Sequence, residues 1–288
     1  MHQINLFIEL TRLKKPIGFM LLFWPCIWGL TLVYDFNSSI NNYFIFSLLF
    51  LAGSILMRSA GCIVNDIVDK NFDQKVERTK NRPVASGKVS VKLALIYSIT
   101  LCGLAFLVLI NFNKLTIYMA LLSMPLAFTY PLMKRITYWP QLFLGITFNY
   151  GLVLAWISVS NEISLVSIVF YVGAIFWTLG YDTIYGFQDI KDDEIIGVKS
   201  TSIKFKNDPK KFLLFCYSIF IVSLIFVGIK MNFKFYYFIF LNLPAIQLFI
   251  FQIKKLDVLN TYDCLNKFKS NNFLGMLVLI NIFIGKLI

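Results

Sequence analysis

The sequence predicts an all-α polytopic membrane protein, a single domain over residues 1–288 with nine spans arranged as two four-helix units plus one further helix. Three observations predict it. Apolar residues make up 58% of the chain and charged residues 15%, with a mean hydropathy of +0.72, whereas soluble domains carry about 25% charged residues. The apolar residues fall in blocks of roughly 20, the length that crosses a bilayer as a helix. The basic residues gather in a few short segments between those blocks, as the positive-inside rule requires.

The N-terminal segment carries Glu9 and Arg12 ahead of Pro16, so it is not patterned as a cleavable signal, and the first apolar run is a span. Pro16 suits the first turn of a helix. That span is Ile17–Tyr34, with a kink expected at Pro25. A polar turn, 37–42, leads to a second span, Tyr43–Val64. The third and fourth are Val91–Ile110 and Leu115–Leu132, the latter holding Pro125 and Pro131. The fifth, Tyr138–Val159, follows Lys134 and Arg135, and the sixth is Ile163–Phe187. Phe212–Ile229, Phe235–Ile253 with Pro244 inside it, and Asn272–Ile288 complete the nine.

Counting Lys and Arg orients these spans. With the N-terminus cytoplasmic, 22 lie on the cytoplasmic side and four (Lys114, Lys230, Lys234, Lys286) on the other, while Arg58 falls within the second span. This bias predicts a cytoplasmic N-terminus. It also accounts for the net charge of +12 without a nucleic-acid partner. Nothing in the sequence points to an obligate protein partner; the lipid bilayer is the expected surrounding. The five cysteines (Cys26, Cys62, Cys102, Cys216, Cys264) are scattered, with no C-x-x-C pair, and are expected to be free packing residues. The one histidine, His2, is expected to be solvated at the terminus, which leaves no histidine for base or metal chemistry.

Nine of the fifteen acidic residues sit in two short stretches, each closing an apolar span. The first runs through Asn65, Asp66, Asp69, Asp73 and Glu77. Positions 65, 69 and 73 are four apart and share one helical face, where like charges repel. The second holds Asp182, Tyr185, Asp189, Asp192, Asp193 and Glu194, and its spacing is expected to place Asp182, Tyr185, Asp189, Asp192 and Asp193 on one helical face. Each leads into a glycine-containing basic loop and then another span, a faint internal repeat. By the orientation above both stretches face the cytoplasm and can meet.

Two carboxylate clusters facing each other form an oxygen-lined site for a hard divalent ion such as Mg²⁺, which uses one or two carboxylates per side and keeps room for water and phosphate oxygens. Nearby Lys70, Arg82, Lys134, Arg135 and Lys199 suit a diphosphate. At a membrane face, this implies a substrate with a diphosphate head and a lipid tail. Metal bridging would make the diphosphate a better leaving group, and aromatic faces would stabilise an allylic cation. Arg58 is separate: a charge within an apolar run is costly and faces an interior or a cavity. A carboxylate-lined cation transporter is the alternative, but it would place its acids near the bilayer midplane rather than at span ends.

Asn65-Asp66-x-x-Asp69-x-x-x-Asp73, followed by Asn81-Arg82-Pro83 and Ser86-Gly87, resembles the first signature of the UbiA family of membrane prenyltransferases. Tyr181-Asp182-Thr-x-Tyr185-x-x-x-Asp189-x-x-Asp192-Asp193, then Gly197-Val-Lys-Ser-Thr201, resembles its second. Leu13-Lys-Lys-Pro-Ile-Gly18, Leu-Leu-Phe-Trp-Pro25, Tyr130-Pro-Leu-x-Lys-Arg135 and Ser270-Asn-Asn272 are similar to the 4-hydroxybenzoate polyprenyltransferase branch.

The resemblance implies nine transmembrane helices around a central cavity in a bacterial inner membrane. It implies Mg²⁺ holding a polyprenyl diphosphate, and transfer of the chain ortho to the hydroxyl of 4-hydroxybenzoate in ubiquinone biosynthesis. Asn65, Asp69 and Asp73 would hold one metal–diphosphate side, and Asp189 and Asp193 the other. Asp182 and Tyr185 would line the site, and Arg135 would meet the acceptor carboxylate. Lys14 stands where the family often has an acid, Lys70 where it has arginine, and Phe148–Gly151 departs from its usual pattern, a change either to the acceptor pocket or to the packing of the fifth helix; a relative using another aromatic or porphyrin acceptor is the alternative enzyme reading.

Overall fold

The computed structural model describes residues 2–288, and every regular element among them is helical. The His2 side chain, expected to be solvated, lies outside what is described. Helix α1 (His2–Thr11) turns Leu6 and Leu10 onto Ala60 and Ile63 of the third helix, then ends at Arg12 in a left-handed conformation (φ 56°). Pro16 opens α2 (Ile17–Val33), which carries Pro25 inside it. The 29 residues of α3 (Ile40–Val68) make a rod of roughly 43 Å, long enough to cross a bilayer and stand clear of it. Asp69 joins it to α4 (Lys70–Asp73), and two four-apart bonds are kept across the joint: Asp69 N donates to the Asn65 carbonyl and Asp73 N to the Asp69 carbonyl, each at 2.8 Å.

Ser90 caps α5 (Val91–Leu109) and Asn113 caps α6 (Lys114–Thr129), each accepting a backbone N–H three residues on. Pro131 turns the chain through a 3₁₀ turn (Tyr130–Leu132) into α7 (Met133–Ile136). Then come α8 (Pro140–Ser160) and α9 (Leu165–Gly186), the latter opened by a Ser164–Ser167 capping box. Short helices α10 (Ile190–Ile196) and α11 (Thr201–Lys204) precede α12 (Pro209–Lys230). The eighth span is broken into α13 (Phe235–Phe240), α14 (Asn242–Ile246) and a π-helical stretch, 247–254. Pro244 sits inside the middle piece, where its missing N–H interrupts the ladder. The amphipathic α15 (Thr261–Lys269) leads into α16 (Asn271–Leu287).

Eight stretches among the described residues are long and apolar enough to span a membrane, and the 17-residue α2 completes the expected nine. Packing follows one pattern twice. Helix α3 pairs with α2 and α5, α9 pairs with α8 and α12, and the halves join where α2 lies along α8. At the centre Trp28 meets Trp177 (ring centroids 5.0 Å apart) and stacks on Phe170 (5.6 Å). The Ser270–Asn272 segment acts as a polar staple: the buried Asn271 accepts the Trp177 indole N–H at 2.8 Å and Asn272 that of Trp24 at 2.9 Å. All five cysteines are free.

Candidate active site

The acid-bearing ends of α3 and α9 come together at one end of the helix ring. Asp69, at the joint between α3 and α4, is 1% exposed. Lys134 of α7 donates to its Oδ2 at 2.5 Å, and Arg135 stands 3.8 Å from Oδ1. Oδ1 is sealed from solvent and has no hydrogen-bond partner. Burial pushes this carboxyl up from its ordinary value, against the pull of Lys134. One turn on, Asp73 accepts Arg82 at 2.8 Å. Asp66 accepts Arg12 at 2.5 Å and Arg82 at 3.2 Å, which ties α1 and the loop after α4 to the end of α3.

The second stretch does not share one helical face as its spacing suggested. Helix α9 ends at Gly186 and α10 starts after Asp189, so Asp182 and Tyr185 belong to one helix and Asp192 and Asp193 to another. Gly186 is required where it stands, because a Cβ there would collide with the Ser202 hydroxyl; its poor helix propensity then favours the break. Asp193 is pushed up to about 6, first by burial and then by the neighbouring Asp189 charge.

The two ends are bridged by a residue the sequence reading did not single out. Arg78, in the loop after α4, forks onto both Asp189 oxygens, with Nε 2.7 Å from Oδ1. Its Nη1 donates to the Tyr185 hydroxyl at 3.3 Å, and Tyr185 packs on Phe268 with ring centroids 4.4 Å apart. Arg12 is the second residue missed. Both pairings join segments far apart in the chain, and no local spacing announces them.

Other expected residues divide. Lys134 and Arg82 face the carboxylates. Arg135, besides standing 3.8 Å from Asp69, donates to the Val68 carbonyl at 2.6 Å, capping α3, and lies over the Phe72 ring at 5.0 Å. Lys199 is turned to the Ile136 carbonyl at the end of α7, at 3.1 Å. Lys70 begins α4 half-buried and joins no ion pair among the described residues. Asn65 is half-buried one turn before Asp69.

Inward of these acids lies a cavity of about 220 Å³, lined chiefly by apolar side chains of α3, α5, α6 and α8. Arg58 projects into it, with its guanidinium 5.2 Å from the Phe148 ring centroid and its Nε sealed and unbonded. It crosses α2 at Gly18, where a Cβ would stand 2.9 Å from Nε, which accounts for glycine in that motif. Asp182 lies within Coulombic reach of Arg58. The unusual 148–151 run is divided too: Phe148 and Tyr150 line the cavity, while Asn149 donates to the Thr178 hydroxyl at 2.7 Å and fastens α8 to α9.

Among the described residues no three acidic, cysteine or histidine side chains converge enough to hold an ion unaided. The donor set fits Mg²⁺ nonetheless. It is all oxygen, it includes the orphaned Asp69 Oδ1, and Mg²⁺ completes its shell with water and phosphate.

Residues 22–275 match the model of the UbiA prenyltransferase family. The mitochondrial 4-hydroxybenzoate polyprenyltransferase of Bos taurus is 40% identical over 98% of this chain and 75% of its own. A 4-hydroxybenzoate geranyltransferase of Lithospermum erythrorhizon is 38% identical over 99% of this chain and 92% of its own. Among solved structures, a UbiA homolog from Aeropyrum pernix K1 superposes with a TM-score of 0.73 at 23% identity, covering 93% of this chain and 96% of the homolog. One from Archaeoglobus fulgidus bound to GPP and Mg²⁺ gives 0.71 at 17% identity, covering 96% of this chain and 98% of the homolog.

Proposed function

The chain belongs to the UbiA prenyltransferase family, and from that premise we infer that it transfers a polyprenyl chain from polyprenyl diphosphate to the ring carbon ortho to the hydroxyl of 4-hydroxybenzoate, the prenylation step of ubiquinone biosynthesis. The observation that carries this reading is the bridged acidic mouth, Arg78 on Asp189 and Lys134 on Asp69, above an apolar cavity that holds a single guanidinium.

Asn65, Asp69 and Asp73 on one side, and Asp189 and Asp193 on the other, are the residues to hold Mg²⁺. The ion, when bound, neutralises the diphosphate and makes it a better leaving group. Arg78, Arg82 and Lys134, which pair with these carboxylates, are within reach to turn to diphosphate oxygens instead. The allylic tail lies along the apolar cavity, where Phe148, Tyr130 and Phe128 offer ring faces to the cation left by diphosphate departure.

For the acceptor we assign Arg58 rather than Arg135. Arg58 is inside the cavity with an unbonded Nε, whereas Arg135 is occupied by the end of α3. A guanidinium matches a carboxylate with two parallel donors. Asp182, within Coulombic reach of Arg58, is the carboxylate we assign to the acceptor's hydroxyl proton, whose removal raises the nucleophilicity of the ring.

We assign the protein to a bacterial inner membrane, as a single transmembrane domain with its N-terminus and acidic mouth cytoplasmic; the 22-to-four partition of basic residues supports that orientation. The test is an acceptor panel. Purified protein with prenyl diphosphate, Mg²⁺ and several aromatic acids should yield a prenylated 4-hydroxybenzoate by mass analysis. Turnover of another acceptor with none of 4-hydroxybenzoate would overturn the assignment.

A further inference from the structure

Among the described residues the Arg78 guanidinium has two partners. One is Asp189, which it forks; the other is Tyr185, whose hydroxyl accepts Nη1 at 3.3 Å and whose ring centroid lies 5.7 Å from the guanidinium carbon. The Arg78 side chain is 42% exposed, so these partners are what keep it at the mouth. The Tyr185 ring packs on Phe268 of α15, with centroids 4.4 Å apart. Phe268 also meets Tyr181, one turn back on α9, at 5.8 Å.

Phe268 is carried on a segment that is fastened from below. Asn271 Nδ2 donates to the carbonyls of Lys267 and Phe268, each at 3.1 Å, and its Oδ1 accepts Gln252 Nε2 at 3.0 Å as well as the Trp177 indole. The π-helical stretch explains how Gln252 reaches that point. Gln247 and Gln252 are five apart, the repeat of a π-helix, whereas on an α-helix they would diverge by about 140°. Gln252 donates to Gln247 at 3.1 Å, and Gln247 donates to the Ser270 hydroxyl at 3.0 Å. Beside Phe268, the buried Lys267 sets its ammonium 3.6 Å from the Phe251 ring centroid.

On the prenyl-transfer reading above, we infer that Phe268 is a positioning residue for the donor diphosphate, acting through Tyr185 on Arg78. Asp189 is a residue to hold Mg²⁺, and once it does so Arg78 loses that partner. Tyr185 then remains to hold the guanidinium beside the diphosphate. A tyrosine can do this only while its own ring is fixed, and Phe268 is the ring packed closest on it among the described residues. Without Phe268 the Tyr185 ring turns into the vacated space, its hydroxyl leaves Nη1, and Arg78 swings into solvent when Asp189 is taken.

The test is calorimetric titration of pyrophosphate with Mg²⁺, a headgroup with no tail and no turnover, run beside steady-state kinetics. Phe268→Ala should weaken pyrophosphate binding and raise the donor KM by roughly two- to tenfold, the range an aromatic pair contributes. Its kcat and its KM for 4-hydroxybenzoate should stay near their original values, and Phe268→Tyr, which keeps the ring, should restore the affinity. In an Arg78→Met background Phe268→Ala should cost nothing further. Unmoved pyrophosphate affinity in Phe268→Ala would overturn the assignment. So would an equal loss in the Arg78→Met background, which would make Phe268 a packing residue only. If Phe268→Ala does not fold, Phe268→Leu, which keeps an apolar contact, is read by the same two criteria. Absence of transfer by the unaltered protein to every acceptor would overturn the transfer reading, while the pyrophosphate titration still decides the role of Phe268.

Discussion

Replacing Arg58 by methionine should make the protein more stable and less able to use its acceptor. Arg58 lies well inside α3, with its Nε sealed and unbonded and its guanidinium over Phe148 at 5.2 Å. An arginine at the centre of a span costs roughly 2.5–3.5 kcal/mol on insertion scales, and a stacked ring returns about 0.5–2 kcal/mol. The remainder, on the order of 1–2 kcal/mol, is unfavourable. Methionine has a similar unbranched length and adapts to irregular space, so Arg58→Met should raise the unfolding midpoint in detergent by roughly 2–6 °C. The same substitution removes a charge-assisted bond to the acceptor carboxylate, about 1.5–3 kcal/mol, or roughly ten- to a hundredfold in kcat/KM for 4-hydroxybenzoate. The donor term should stay near its original value. Arg58→Lys keeps the charge without the fork and should fall between. Arg135→Met is the matched control, because Arg135 caps α3 outside the cavity; its acceptor term should not move. A lowered midpoint in Arg58→Met with the acceptor term intact would refute the reasoning, and an acceptor defect in Arg135→Met alone would return the carboxylate to Arg135.

Three further outcomes are expected. Asp189→Asn, and equally Asp69→Asn, should lower turnover by about a hundred- to a thousandfold while the protein still inserts, and calorimetric titration of Mg²⁺ with geranyl diphosphate should show the lost affinity. Asp193 is pushed up to about 6. An acid with a raised folded value is penalised when ionised, so metal-free stability should fall as pH rises from about 4 to 6 and stay level above. Mg²⁺ needs the carboxylate, so turnover should fall as pH drops through about 6, and the acid limb should move lower with added Mg²⁺; an unmoved limb in Asp193→Asn would exclude this group. Cysteines placed at the exposed Ser86 and Ile195 should label only from the cytoplasmic face, and one at Lys234 only from the other; Ser200 is a poor probe because it is buried and caps α11.

The spans were legible because burial in lipid is written into long apolar runs that local sequence shows directly. The first stretch was legible for a related reason: spacing by fours survives the joint at Asp69, since the bonds from Asp69 N to Asn65 and from Asp73 N to Asp69 are kept although α3 ends there. The second stretch misled because the same logic assumes an unbroken helix. Its break depends on Ser202, which crowds Gly186 from another element. Arg12 and Arg78 were invisible for the same cause. Their partners lie 54 and 111 residues away, and only folding decides which of several loop cations reaches an acid. Arg135 is the expected carboxylate partner by chemistry alone, and the proposal of Arg58 in its place rests on Arg58 lining the cavity while Arg135 bonds the end of α3. The Ser270–Asn272 motif was recognisable as a signature, but its work of holding two indole N–H groups inside the bundle needed the partners in view.

The ion pairs at the mouth are better understood as reserved partners than as contributions to stability. Partly exposed pairs are worth about 0–1 kcal/mol each, and breaking a buried one by removing one member is far more costly than never having made it. Asp69 shows the consequence: paired with Lys134 through one oxygen, it still leaves the other sealed and unbonded. A structure selected only for stability would fill that position with an apolar side chain. A diphosphate accompanied by magnesium presents both signs of charge at once. On the proposed transfer reading, its arrival would let the carboxylates exchange ammonium and guanidinium for metal, and would let Lys134, Arg82 and Arg78 exchange carboxylate for phosphate. No buried charge need be left alone at any stage of that exchange. Arg78 is decisive here, because among the described residues it alone spans from the loop after α4 to Asp189. Its removal should leave Asp189 unpaired beside Asp193 before the donor binds, so the Arg78→Ala defect should appear in donor affinity and grow as pH rises through about 6, where Asp193 ionises.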